Sequence, residues 1–325
     1  MRAIIHQGVG GPEVLTLADR PTPDPGPSQV RVAVRAAGLN RADILQRRGG
    51  YAAPPGWPED IPGLEYAGEV EVVGPGVSRW KIGDRVMGLV GGGAHAEAVV
   101  VHQDETMPIP AGLSFAEAAA IPEAFMTGFD ALVFRARVAS GDRVLIHAVA
   151  SGLGTATAQL ARSMGATVLG TSRSPGKLGR LGEYGVDLAI DTSSGGFREA
   201  VNPPVQVVID VLGGPALADN LAVLAPRGRL VLLGFLQGPE AATSLAPILR
   251  KRLEVIGTLM RARPLEERIP LVQAFVEQVL AGFEGAGGPP ALRPVVEAVY
   301  PMERIADAHR AMEGNTTFGK LILEW

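Results

Sequence analysis

One run limits the folds open to this chain more than any other: Arg143-Val144-Leu145-Ile146-His147-Ala148-Val149-Ala150-Ser151-Gly152-Leu153-Gly154-Thr155-Ala156. An apolar strand enters a turn of small residues and leaves it as a helix. A parallel sheet presents a helix N-terminus to a phosphate in this way, because free amides and the helix dipole both favour an anion. The dinucleotide spacing G-x-G-x-x-G falls on Val149, Ser151 and Gly154, so only its last glycine is present. Context carries the reading instead: a strand before, a helix after, and another strand within about 30 residues. Gly154 is expected to let helix and strand pack closely. Ser151, Gly152 and Leu153 are expected to bring backbone to a pyrophosphate. The alternative is a small-residue strand–helix turn in some other α/β protein.

The segments downstream extend this pattern. Strands are expected over 143–148, 166–171, 188–191, 205–211, 229–233 and 253–259, with helices over 152–164, 177–184 and 215–224 between them. Such alternation is the signature of a doubly wound parallel sheet. Upstream the period is two: 30–36, 66–74, 85–88 and 96–101 read as short strands separated by turns such as Pro75-Gly76, which suggests a small β-rich domain. Ser114 with Glu117 forms a capping-box pattern for a helix over 115–120, and a second helix is expected over 125–135. After a helix over 265–281 and a loop at 285–290 come a strand at 295–299, a helix over 302–312 and a strand at 320–323. A strand so close to the C-terminus needs a sheet to join. It is expected to return to the first domain, giving boundaries of 1–121 plus 265–325 for the β-rich domain and 122–264 for the parallel one.

Composition excludes several functions. Lys and Arg total 30 against 34 Asp and Glu, a net charge of −4, which offers no electrostatic attraction for nucleic acid or an anionic membrane. No run approaches the roughly 18 apolar residues of a membrane span. The start, Met1-Arg2-Ala3-Ile4-Ile5-His6, lacks the apolar core of a signal peptide, so a cytoplasmic location is the expectation. With no cysteine, disulfides, thiolate nucleophiles and sulfur-based zinc sites are ruled out, and the five histidines show no close pairing. A site of His and carboxylates alone stays arithmetically possible, but no metal is expected.

The second parallel strand ends in Thr171-Ser172-Arg173-Ser174, with Lys177 beyond. NAD-binding units place a carboxylate near this point for the ribose 2′-hydroxyl. Arg173 and Lys177 instead offer positive charge and Ser172 a hydroxyl, which suits a 2′-phosphate and predicts NADPH. An ordinary solvated basic loop is the competing account.

Several of these residues also resemble a known group. His147-Ala148 through Gly154-Thr155-Ala156 with Gln159-Leu160-Ala161, Gly38-Leu39-Asn40-Arg41-Ala42-Asp43, Gln46-Arg47-Arg48-Gly49-Gly50-Tyr51, Pro62-Gly63-Leu64-Glu65-Tyr66-Ala67-Gly68, Gly83-Asp84-Arg85-Val86, Ala120-Ile121-Pro122 and Phe318-Gly319-Lys320 are similar to the zinc-independent quinone oxidoreductases of the medium-chain dehydrogenase/reductase superfamily. The resemblance covers nearly the whole chain. It implies an α/β architecture, with a GroES-like β-rich catalytic domain joined to a Rossmann doubly wound parallel-sheet nucleotide-binding domain. It implies an NADPH-dependent reductase of quinones or other small electrophilic acceptors, working in a cleft between the domains. An enoyl or enone (alkenal) reductase and a catalytically weak NADPH-binding protein are the alternatives. Zinc relatives carry Cys where Asn40 stands and His where Leu64 stands, which disfavours alcohol oxidation. By resemblance, Thr127 and Phe235 hold the nicotinamide end, and Thr192 lies near the adenine 2′-phosphate. Asn40, Asp43 and Tyr51 line the acceptor side, where Tyr51 and Asn40 can donate to the reduced oxygen and Asp43 orients its neighbours. Relatives pair along the edge strand at 253–259, so a homodimer or higher homo-oligomer is expected.

Overall fold

The computed structural model describes residues 1–285 and 291–325; positions 286–290 of the expected loop lie outside the described residues. The chain separates into two compact units, Met1–Met126 with Arg261–Trp325, and Thr127–Met260. The breaks fall five and four residues from the expected 121/122 and 264/265.

The first unit is built on antiparallel strands. An outlying pair, β1 (Arg2–His6) and β2 (Leu15–Asp19), precedes the long β3 (Gln29–Leu39), helix α1 (Arg41–Arg47), β4 (Glu65–Val73), β5 (Arg85–Leu89), β6 (Ala98–His102) and β7 (Thr106–Pro108). β3 pairs with β4 on one side and with β6 and the C-terminal strand by its other bonds; β4 pairs with β5, and β5 with β7. Alternation drives this: Val30, Val32 and Val34 of β3 are buried while Gln29, Arg31 and Ala33 are less so. Ser114 caps α2 (Phe115–Ala118), with Ser114 N donating to Glu117 Oε2 at 2.8 Å and Glu117 N to Ser114 Oγ at 3.2 Å. The helix stops two residues short of its expected end.

The second unit begins within α3 (Pro122–Phe129), which runs on as a π-helical turn, Asp130–Arg135. The expected start at 125 is three residues late, because a proline sits easily in the first turn, where no amide donor is needed. Then come β8 (Arg143–Ile146), α4 (Gly152–Ser163), β9 (Thr167–Ser172), α5 (Pro175–Leu178), β10 (Leu188–Asp191), β11 (Val205–Asp210), α6 (Leu217–Val223), β12 (Leu224–Leu232), α7 (Ala246–Lys251) and β13 (Glu254–Gly257). All six strands are parallel, in the order β10-β9-β8-β11-β12-β13. The single helix expected over 177–184 is instead α5 and a separate 3-10 turn, Leu181–Tyr184, interrupted around Gly179. β12 starts at Leu224, not 229, because Leu224 already pairs with Val205 before a register shift.

The chain then returns to the first unit through α8 (Leu265–Gln278), β14 (Val296–Pro301), α9 (Ile305–Glu313) and β15 (Lys320–Glu324). The closing strand does join the first sheet: Leu321 pairs with Leu39 and Leu323 with Ala37. The core of this unit gathers Val30, Val32, Leu39, Tyr66, Val86 and Leu323. Among the described residues no helix is long and apolar enough to cross a membrane.

Candidate active site

In the first unit, polar side chains collect where β3 leads into α1. Asp43 is fully buried, and both its oxygens are taken by backbone amides: Oδ2 by Asn40 N at 2.8 Å and Oδ1 by Gly63 N at 3.0 Å. It clamps the start of α1 to the loop before β4. Asn40 Nδ2 donates to Glu65 Oε1 at 2.8 Å, and Asn40 Oδ1 accepts from Lys320 Nζ at 2.6 Å. Lys320 also donates to Glu65 Oε1 and to the Leu39 carbonyl at 3.1 Å, while Glu65 Oε2 accepts from Glu123 N at 2.7 Å. Glu65 fits only because position 38 is glycine: a Cβ there would lie 2.1 Å from Glu65 Oε1. The carboxyl of Glu123, beside Glu65, is pushed up to about 7, first by burial and then by its neighbour's charge.

Tyr51 follows Gly49-Gly50 and is half-buried. Its ring lies under Arg261, with the guanidinium carbon 4.9 Å from the ring centroid. Arg261 also donates through Nη1 to the Tyr51 carbonyl at 2.9 Å, through Nε to Gly91 O at 2.7 Å and through Nη2 to Gln46 Oε1 at 2.6 Å. One buried guanidinium thus fastens the Tyr51 loop to α1 and to the loop after β5. Sequence reasoning missed Arg261, since nothing in Met260-Arg261-Ala262-Arg263 marks it as different from a surface arginine. Burial raises the Tyr51 phenol to about 12; Glu123 adds to the rise and Arg261 opposes it. The phenol therefore keeps its proton at neutral pH and can donate a hydrogen bond.

In the second unit, Ser151 is the N-cap of α4, and its Oγ accepts from Gly154 N at 3.0 Å. The first-turn amides of Gly152 and Leu153 have no acceptor within the helix and face whatever approaches its end. Gly154 is required sterically: a Cβ there would lie 2.5 Å from Val149 Cα and 2.6 Å from the Ala148 carbonyl, backbone atoms that cannot swing away. Val149, the first departure from the glycine fingerprint, is accommodated from the neighbouring strand. Gly170 of β9 leaves the space its side chain fills, since a Cβ there would meet Val149 Cγ1 at 2.6 Å.

At the end of β9, Ser172 Oγ accepts from Ser174 N at 3.1 Å and Ser172 O from Thr192 N at 2.9 Å, so Ser172, Arg173 and Thr192 come together. Arg173 is exposed and Lys177 half-buried. A carboxylate, Asp191 of β10, is the register partner of Ser172, with its Oδ1 accepting from Ser193 N at 2.8 Å. Phe235, in the loop after β12, is 55% exposed. Thr127 is buried in α3, and its Oγ1 has no hydrogen-bond partner among the described residues. Open helix amides, a backbone approach that only glycine permits, an unpaired buried hydroxyl and a basic strand end suit a nicotinamide dinucleotide.

The donor set on the first unit suits a metal poorly. Among the described residues no group of three or more His, Asp or Glu could hold one. Asn40 and Glu65 are committed to the Lys320 ammonium, and buried Leu64 has no donor atom.

Two family models match: alcohol dehydrogenase GroES-like domain over residues 26–111 and zinc-binding dehydrogenase over residues 152–277. Over 99% of its length the chain is 34% identical to the synaptic vesicle membrane protein VAT-1 homolog of Rattus norvegicus, covering 84% of that protein. It is 33% identical to the quinone oxidoreductase of Mus musculus, covering 99% of this chain and 97% of that one. The crystal structure of Escherichia coli quinone oxidoreductase complexed with NADPH matches over the whole of both chains, with a TM-score of 0.84 at 27% identity.

Proposed function

Because the chain belongs to the zinc-independent, quinone-oxidoreductase-like group of the medium-chain dehydrogenase/reductase superfamily, we propose that it reduces quinones with NADPH. The observation that carries the choice of acceptor is the commitment of Asn40 and Glu65 to Lys320. With those groups occupied and Leu64 beside them, the described residues of the first unit offer no donor set for a Lewis-acid metal that would polarise an alcohol or unactivated carbonyl. An acceptor that is already electrophilic needs no such help. A nicotinamide coenzyme, when bound, supplies the reducing equivalents. Ser151, Gly152, Leu153 and Gly154 would hold its pyrophosphate. Ser172, Arg173, Lys177 and Thr192 would hold the 2′-phosphate, and Thr127 and Phe235 the nicotinamide end. On the first unit Tyr51 would donate a hydrogen bond to the acceptor oxygen, Asn40 would turn to the same oxygen the amide hydrogen that now reaches the Gly38 carbonyl at 3.4 Å, and Asp43 orients Asn40 through the α1 cap. β13 is the outer strand of its sheet, with Val255 42% exposed, and pairing with a second copy along it is part of the proposal.

The coenzyme assignment is tested at Arg173. A charge-assisted bond to phosphate is worth roughly 1.5–3 kcal/mol, or about ten- to a hundred-fold in affinity. Arg173→Glu is expected to lower the NADPH-to-NADH ratio of kcat/KM by that factor. Asp191 is the feature that favours NADH, and an unchanged ratio in the variant would overturn the reading of Arg173 as the 2′-phosphate partner.

A panel of 1,4-benzoquinone, an ortho-quinone, a 2-alkenal and an enoyl thioester separates the proposal from an enone reductase, and no turnover on any of them with NADPH bound would mark a binding protein. Tyr51→Phe adds a finer reading. A reduced quinone can take its protons from water, whereas protonation of an enone carbon gains from a positioned donor. The variant is expected to keep quinone kcat/KM within about twofold and to lose at least about tenfold on any enone turned over. Equal losses on both would show that Tyr51 shapes the site without donating a proton.

A further inference from the structure

The second unit contains a buried polar chain for which the proposed chemistry has no use. His147 Nδ1 lies 2.9 Å from Thr171 Oγ1, and Nε2 lies 2.7 Å from Asn220 Oδ1. Asn220 Nδ2 donates to Asp210 Oδ2 at 3.1 Å. Asp210 Oδ1 accepts from Leu212 N at 2.6 Å and from Gly213 N at 3.3 Å. None of the four side chains' residues exceeds 3% exposure. The donors and acceptors run in one direction. With Asn220 donating to Asp210, its Oδ1 faces the ring and accepts, so Nε2 carries the proton. A neutral ring then leaves Nδ1 to accept from the Thr171 hydroxyl. Burial pushes His147 down, which keeps the ring neutral.

Each end of this chain enters a loop that carries proposed coenzyme residues. Thr171 precedes Ser172, which holds Ser174 and Thr192 through its Oγ and carbonyl. At the other end, the Leu212–Gly213 turn is bonded to the Phe235 loop, with Gln237 N donating to Leu212 O and Gly214 N to Gly238 O, both at 2.9 Å. Gly213, at φ +94°, lets Phe235 sit against it, since a Cβ there would lie 2.8 Å from Phe235 Cδ1. Apolar side chains of the same shape would fill the core of a parallel sheet at no cost in stability. What a directional chain adds is a fixed geometry between the two loops.

We propose that His147 is a positioning residue. Through Thr171 on one side and Asn220–Asp210 on the other, it couples the loop that would take the 2′-phosphate to the loop that would take the nicotinamide end. Both loops are then ordered before the coenzyme arrives, and the protein loses less freedom on binding it. The inference rests on the reading of this unit as a nicotinamide-coenzyme site.

Calorimetric titration with NADPH and, separately, with 2′,5′-ADP tests it. That ligand carries the adenosine half alone. In His147→Leu the dissociation constant for NADPH is expected to rise about tenfold while that for 2′,5′-ADP changes by less than about twofold. His147→Gln, which can bridge both partners, is expected to recover most of the loss. Should His147→Leu fail to fold, Thr171→Val removes only the terminal hydroxyl and is expected to give the same split between the two ligands. Equal weakening of both ligands, or no weakening of either, would overturn the coupling while leaving the coenzyme site standing. A wild-type protein that binds neither ligand would remove the coenzyme reading, and this inference with it.

Discussion

Lys320→Met is expected to lower the unfolding free energy by about 3–5 kcal/mol, the cost of leaving a buried charge without its partner. Glu65 is wholly buried and Lys320 nearly so. Removing the ammonium leaves Glu65 Oε1 with the neutral donor Asn40 Nδ2 and takes one donor from each of Asn40 Oδ1 and the Leu39 carbonyl. The carboxylate cannot retreat, because it sits against the Gly38 backbone. It also faces Glu123, whose carboxyl Lys320 holds down; without the lysine that carboxyl rises further above about 7. For a chain of this size the loss corresponds to a fall in Tm on the order of 10 °C, read by calorimetry. The double variant Lys320→Met with Glu65→Gln removes both charges and is expected to regain more than half of the loss, because a neutral amide can stay paired with Asn40 and the Glu123 amide. If Tm fell by less than about 2 °C in Lys320→Met, the pair would be no anchor of the first unit, and the argument that Asn40 and Glu65 are committed to it would weaken too.

That network shows where sequence reading reaches and where it stops. The β8–turn–α4 unit is legible because its signals are local: an apolar run, small residues, then helix formers. The period-two strands β3 and β4 are legible for the same reason, and the return of β15 follows from a strand having nowhere else to pair. A barrel hydrogen-bond role for Glu65 can be anticipated, but its partner lies 255 positions away, and only the pairing of β15 with β3 brings Lys320 to it. Arg261 is 210 positions from Tyr51. Gly170 compensates for Val149 from the adjacent strand, so the turn departs from its fingerprint in a way that local spacing cannot explain. Helix α1 escapes because its seven residues bury Asp43, Gln46 and Arg47 beside a single large apolar side chain, Ile44, and show no amphipathic period. Each miss is a case in which tertiary contact, not propensity, decides.

His309 gives the second large effect, an acid sensitivity of the first unit. The ring lies in α9 at 0% exposure, and neither nitrogen has a hydrogen-bond partner among the described residues. Burial pushes it down to about 2, and His95 and Arg47 push in the same direction by repulsion. His95 is itself lowered, chiefly by burial, with Asp43 opposing. The nearest relief for Arg47 is Glu313, which takes Arg47 Nη2 and also Arg48 Nη2. The unfolded chain binds a proton at this imidazole near pH 6.5, whereas the folded chain resists it down to about pH 2. Protons therefore favour the unfolded state throughout that window. Stability is complete above about pH 6.5, declines as pH falls, and stops declining on this account near pH 2. Each pH unit inside the window costs about 1.4 kcal/mol, so roughly 2 kcal/mol is lost by pH 5 and about 6 by pH 2. Urea unfolding at pH 7 and pH 5 reads the first part of this loss. His309→Gln, which keeps a polar side chain but cannot titrate, is expected to be within about 1–2 kcal/mol of wild type at pH 7 and to lose about 2 kcal/mol less between pH 7 and pH 5. An identical drop in both proteins would place the acid sensitivity elsewhere, with His95 the next group to replace.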